Sequence, residues 1–136
     1  ELEARDLISA VMLTVLREMG ESEYARASSN ERMLRMMLFV KEHYQEPLRV
    51  GDIAGSAFIS ERECMRSFSR SLGISPLQFL LSYRLREAER LLREEGMNIS
   101  EIAYRTGFES PSHFSSLFRR RHGITPTEYR KRILSQ

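Results

Sequence analysis

The sequence predicts an all-α protein: two helix-turn-helix subdomains joined by a long central helix, preceded by an N-terminal linker or dimerisation helix. Three observations predict it. Residues 107–130, GFESPSHFSSLFRRRHGITPTEYR, read as turn, cap, short helix, glycine stop and second cap. Most of that pattern occurs once before. Ile53-Ala54 matches Ile102-Ala103 at an offset of 49, and Phe58, Ser60, Phe68, Arg70, Gly73, Ile74 and Pro76 match Phe108, Ser110, Phe118, Arg120, Gly123, Ile124 and Pro126 at an offset of 50. Between the copies, Leu77, Leu80, Leu81, Leu85, Ala88, Leu91 and Leu92 recur at helical spacing. Two copies are too few for a solenoid, so they describe a two-module protein.

Residues 2–19 carry Leu2, Ile8, Val11, Met12, Val15, Leu16 and Met19 on a broad apolar face, with Gly20 to end a helix. Two readings stay open: a helix packed on its own domain, or the end of a dimerisation or sensor segment. Residues 21–29, ESEYARASS, are expected to be a polar linker, with Ser28 and Glu31 at capping-box spacing. Helix is predicted from about Asn30 to Gln45, largely buried, because Met33, Leu34 and the run from Met36 to Val40 are too dense for one stripe. Core is favoured over a methionine-lined partner groove. Pro47 marks its end.

Module one spans about 30–75. Its first helix runs from Val50 to Ala57. Ser60 caps the second, predicted over 61–72, and Glu63 completes a capping box. Spacing turns Cys64, Ser67, Phe68 and Leu72 inward and Arg62, Met65, Arg66 and Ser69 outward. Cys64, with no basic or histidine neighbour at helical spacing, reads as a buried structural thiol. Ser75-Pro76 opens the central helix, predicted over 76–95 with Gly96 as its cap. Its length of about 30 Å is close to the roughly 34 Å between successive major-groove openings on one face of a duplex.

Module two spans about 97–136. A short helix over 99–106 leads to a turn at Gly107, where the second copy is expected to hold its one extra residue. Ser110 is the N-cap and Pro111 the first helical residue of the next helix, predicted over 111–122. Phe114, Leu117 and Phe118 face inward; Ser112, Ser115, Ser116 and Arg119 lie on another face. Pro126 to Ile133 forms a closing helix, with Tyr129 in the core and Arg130, Lys131 and Arg132 on a solvated face, phosphate contact being the less favoured alternative for these three.

The longer pattern resembles the C-terminal signature of the AraC/XylS transcription regulators: Gly107-Phe108, Ser110, Phe114, Phe118-Arg119, Gly123, Thr125-Pro126 and Tyr129-Arg130. The resemblance extends back through IAGSAFISERECMRSFSRSLGISPLQFLLSYRLREAERLL and covers about residues 30–136. It implies a duplex-DNA-binding domain over 30–136, with residues 1–29 as the end of a sensor or dimerisation region. The chain opens at Glu1 inside a helical pattern and is expected to be a piece of a longer protein.

The outward side chains of a recognition helix touch base edges. That selects Arg62, Met65 and Arg66 in module one, and Ser112, His113, Ser115 and Ser116 in module two. Matched residue by residue, Arg62 and Arg66 fall at the family's base-reading positions, and each can pair bidentately with guanine. Module two departs from the family, where the position of Ser116 is often arginine. Module one is therefore expected to supply most of the discrimination. Phosphate contacts are expected from Ser60, Arg70, Ser110, Arg119, Arg120 and Arg121, with some from Ser112.

Charge placement agrees with a polyanion partner. The chain of 136 residues carries +2 overall, but residues 30–136 hold eighteen basic against thirteen acidic side chains, and only two of the basic ones are lysine. One cysteine permits no internal disulfide and points to a reducing compartment; the resemblance implies the cytoplasm of a bacterial cell. No apolar run approaches membrane-spanning length, and no leader pattern is visible. An enzyme is not expected. His43, His113 and His122 share no ligand spacing, GDIAGS lacks the lysine of a phosphate loop, and no nucleophile elbow occurs. No metal or cofactor is expected. Duplex DNA is the expected partner; RNA polymerase, for an activator, and a second copy joined through residues 1–20 are candidates. Two rival readings are a helical protein-interaction or dimerisation module, and the DNA-targeting part of a repair enzyme.

Overall fold

The computed structural model describes residues 21–136, which form seven helices and no strand. The predicted helix over 2–19, and with it the candidate dimer contact, lies outside the described residues. The helices are α1 (Glu21–His43), α2 (Val50–Gly55), α3 (Glu61–Leu72), α4 (Pro76–Leu92), α5 (Ile99–Arg105), α6 (Pro111–His122) and α7 (Pro126–Leu134). They pack as two compact units.

The first unit joins α1, as far as Glu42, to Leu48–Leu77. Helix α1 includes residues 21–29, which are helical and not the irregular polar segment expected ahead of Asn30. ESEYARASS contains no glycine or proline, and its Glu, Ala and Arg residues favour helix; polarity alone does not break one. Ser28 and Glu31 therefore lie inside a helix, not at its start. Met33, Met36 and Val40 form the buried stripe, while Leu34, Met37, Leu38 and Phe39 are only partly covered. The helix is a core wall with one deep face rather than a fully buried rod.

Helices α2 and α3 complete this unit around Ile53, Ala54, Ala57, Cys64 and Phe68. The Asp52 carboxylate accepts from the Arg49 amide at 2.8 Å, and the Ser60 hydroxyl accepts from the Glu63 amide at 3.1 Å. At the far end Gly73, at φ 71°, donates to Phe68 and Ser69. Leu72, expected to face inward, is 42% exposed. Phe68 is the last fully buried residue of α3, and Leu72 lies a turn past that wall. Burial pushes the Cys64 thiol up to about 11, with Glu61 adding to the effect.

The second unit comprises His43–Pro47 and Gln78–Gln136. Helix α4 stops at Leu92, short of the expected Glu95. Its buried face is Leu80, Leu85, Ala88, Leu91 and Leu92; Leu77, placed on the same face by spacing, is 42% exposed. Leu85 to Leu92 pack with Ile102, Ala103, Phe108, Phe114 and Phe118 into one core, and Tyr129 of α7 closes it at 5.2 Å from the Phe118 ring.

Two arginines tie this unit together, and neither role was expected. Arg130 is not on a solvated face. It donates to the carbonyls of Leu92 at 3.1 Å, Met97 at 2.6 Å, Glu94 at 3.3 Å and Leu91 at 3.5 Å. These carbonyls lie at and just beyond the end of α4, where a positive charge also suits the helix dipole. Arg84 is 8% exposed and donates to the carbonyls of Tyr44 and Glu46, each at 2.7 Å.

The turns of the two modules align differently from the sequence match. The Ile59 amide donates to Ala54, and the Phe108 amide donates to Ala103. Phe58 and Gly107, at φ 58° and 95°, both precede that bond. Phe58 thus corresponds to Gly107, not to Phe108, and the extra residue of module two is Glu109, just ahead of the Ser110 cap. Phe108 is buried and Phe58 is 90% exposed.

Candidate nucleic-acid interface

Helix α3 is strongly two-faced, because Cys64, Ser67 and Phe68 are buried while its other positions, Met65 and Leu72 apart, are polar. Ser60 fixes where the helix begins, and the buried stripe fixes its rotation. Arg62, Met65, Arg66 and Ser69 are consequently all exposed. Arg62, Met65 and Arg66 line an open depression of about 480 Å³ together with Val50 and Glu61. Val50 comes from the first turn of α2 and was not anticipated as part of the site; only packing brings it there.

The arginines of this face are not equivalent. Glu63 accepts from Arg70 at 3.0 Å and lies 3.8 Å from Arg66. Arg62 has no ion-pair partner among the described residues. Such exposed pairs contribute little to stability, but they orient long side chains before a ligand arrives. Arg70, expected at a phosphate, is held in this pair.

Helix α6 presents a different surface. Ser110 accepts from the His113 amide at 3.1 Å, and Pro111 sets the first turn. Ser112, His113 and Ser116 are exposed, whereas Ser115 is half-buried. The His113 ring rests edge-on against Phe108 at 5.9 Å. No acid stands in the first turn of α6, while Glu61 and Glu63 stand in that of α3. The amide end of α6 is the better seat for a phosphate, and the carboxylates of α3 oppose one beside Ser60.

At the other end of α6 the last turn is Arg119-Arg120-Arg121-His122. Arg119 and Arg120 are exposed with no ion-pair partner among the described residues. Arg121 lies 3.9 Å from Glu89, and His122 contacts the same carboxylate at 2.5 Å while stacking on Phe118. The face thus offers two free cations and a third that is partly neutralised. Among the described residues no three His, Cys, Asp or Glu side chains are placed to hold a metal, and no helix is long and apolar enough to cross a membrane.

A helix-turn-helix domain family matches residues 53–132. The uncharacterized HTH-type transcriptional regulator YdeC of Bacillus subtilis (strain 168) is 33% identical over 111 residues, which is 82% of this chain and 38% of the relative. The HTH-type transcriptional activator RhaS of Citrobacter koseri is 31% identical over 127 residues, 93% of this chain and 45% of the relative. The chain spans less than half the length of these two relatives. Among solved structures, a transcriptional regulator from Chromobacterium violaceum, of the AraC-type DNA-binding domain-containing proteins, superposes with a TM-score of 0.72 at 34% identity, covering 79% of this chain and 96% of that one. The DNA-binding domain of the global transcriptional factor AdpA, in complex with a target DNA, gives 0.67 at 35% identity, covering 71% and 86%.

Proposed function

This chain belongs to the AraC/XylS family of transcription regulators, and from that premise we propose that it is the DNA-binding part of a sequence-specific regulator. Residues 30–136 form the DNA-binding domain, and α3 and α6 are the two recognition helices, entering successive major-groove segments of one duplex. The observation that carries this reading is the open face of α3. Three long side chains, Arg62, Met65 and Arg66, stand exposed on a helix whose opposite side is locked into a core.

The division of labour follows from the two helix surfaces. Arg62 and Arg66 pair with guanine edges. Ser112, His113, Ser115 and Ser116 add weaker base contacts. Ser110, Arg119, Arg120 and Arg121 hold phosphates in module two; in module one Arg70 reaches a phosphate only by leaving Glu63, and Ser60 contributes less because Glu61 and Glu63 stand beside it. The protein acts in the bacterial cytoplasm as a regulator without catalytic chemistry. Activation, as in the name of its relative RhaS, engages RNA polymerase. A second copy joins through residues 1–20.

The test is duplex binding by the 136-residue chain across a salt series, on a site selected from random DNA. Affinity falls steeply as salt rises, because each neutralised phosphate releases counterions. A flat salt response, or selection that enriches no sequence, would sink the reading.

A further inference from the structure

A role for Met65 at the operator rests on base reading by α3. Met65 is 47% exposed on that helix, between Arg62 and Arg66 in sequence. An exposed methionine on a helix means little alone. Here it shares an open depression of about 480 Å³ with Val50 of α2, and Glu61, Arg62 and Arg66 supply the charged groups around them. The depression therefore has two kinds of wall. The arginines offer donors to the acceptor edge of guanine. Val50 offers no side-chain hydrogen bond to a base and Met65 only the weak acceptor of its thioether, and the Glu61 carboxylate beside them repels a phosphate.

Of the groups lining the major groove, one is recognised by apolar contact alone: the C5 methyl of thymine. A methyl is small beside a depression of that volume. We propose that Met65, backed by Val50, recognises the methyl group of a thymine in the module-one half of the site, next to the bases that Arg62 and Arg66 read. Met65 is then a specificity-determining residue, and the half-site carries thymine there because cytosine and the purines lack a group to fill the apolar wall.

The experiment replaces each thymine of the selected duplex in turn by uracil, which pairs identically and lacks only the methyl. The 136-residue chain should bind one uracil duplex, substituted in the module-one block, about fourfold more weakly, the worth of one buried methyl. Met65→Ala should bind the thymine and uracil forms of that duplex equally, and Met65→Leu should keep the difference. The inference is overturned if no uracil substitution in that block weakens binding, if the block contains no thymine, or if Met65→Ala keeps the full difference. In those cases a continuing guanine dependence through Arg62 and Arg66 leaves base reading by α3 intact. Loss of all sequence preference removes base reading by α3 as well.

Discussion

The Arg84 guanidinium lies against the backbone of Gly107: a Cβ on that glycine would sit 2.8 Å from its Nε and 2.4 Å from the Tyr44 carbonyl oxygen. Neither neighbour can yield, because Arg84 Nε is itself bonded to that carbonyl. Gly107→Ala should therefore cost about 2–4 kcal/mol, combining left-handed strain with a broken buried hydrogen bond. Gly73→Ala meets nothing within 4 Å and carries only the backbone term, about 1 kcal/mol. Urea unfolding of the two variants checks the contrast; equal losses would mean that Arg84 swings away freely.

Arg130→Met keeps the side chain's bulk and removes four donated hydrogen bonds at the end of α4. The expected loss is about 2–4 kcal/mol of stability, as stranded carbonyls are costly. Arg132→Met, at an exposed position, should change stability by less than about 0.5 kcal/mol. Thermal melts of both variants distinguish a structural arginine from a solvated one.

Cys64 gives a dependence on pH. Its thiol is held at about 11 in the folded chain against an ordinary 9.0. A group whose folded pKa is raised contributes fully below its unfolded pKa and loses that contribution as pH rises through the folded one. Stability should fall between about pH 9 and pH 11, and Cys64→Ala should remove this part of the decline. Urea midpoints measured across that window in both proteins test it. The same burial predicts slow alkylation of the native thiol, at a rate set by opening of the first unit.

On DNA, Arg62→Ala or Arg66→Ala should each erase about 1–3 kcal/mol of base discrimination at one position. Ser116→Ala should change preference less. Arg120→Ala should lower affinity for all sequences alike and reduce the salt slope by about one. Binding to a panel of single-base variants at two salt concentrations reads all four. A larger loss of preference for Ser116→Ala than for Arg66→Ala would reverse the assigned roles of the modules.

The helix caps were legible in the sequence because they are local. Ser60, Ser110 and Thr125 each accept from the amide three residues on, and that spacing is visible in the string of letters. The outward face of α3 was legible for the same reason, since one buried stripe fixes which side chains point out. What escaped was non-local or negative. Arg84 and Arg130 bind carbonyls more than thirty residues away, so nothing local marked Arg84, and Arg130 read as surface. Val50 joins the site only because α2 packs beside α3. Residues 21–29 looked like a linker because they are polar, yet nothing in them stops a helix. The alignment of the two turns failed at Phe58, where a matching letter outweighed a matching backbone angle.

That last difference bears on how the protein could be re-engineered. Phe58 projects into solvent at the position where Gly107 is pressed against Arg84 and the Tyr44 carbonyl. A chimera that carried the first turn into the second module would drive a phenyl ring into a space that does not admit a methyl group. On the proposed reading, the outward side chains of α3 and α6 are the parts to exchange for new operator specificities. The turns ahead of them belong to their own modules, and a library that recombines whole helix-turn-helix units would be expected to lose most of its members to misfolding at residue 107.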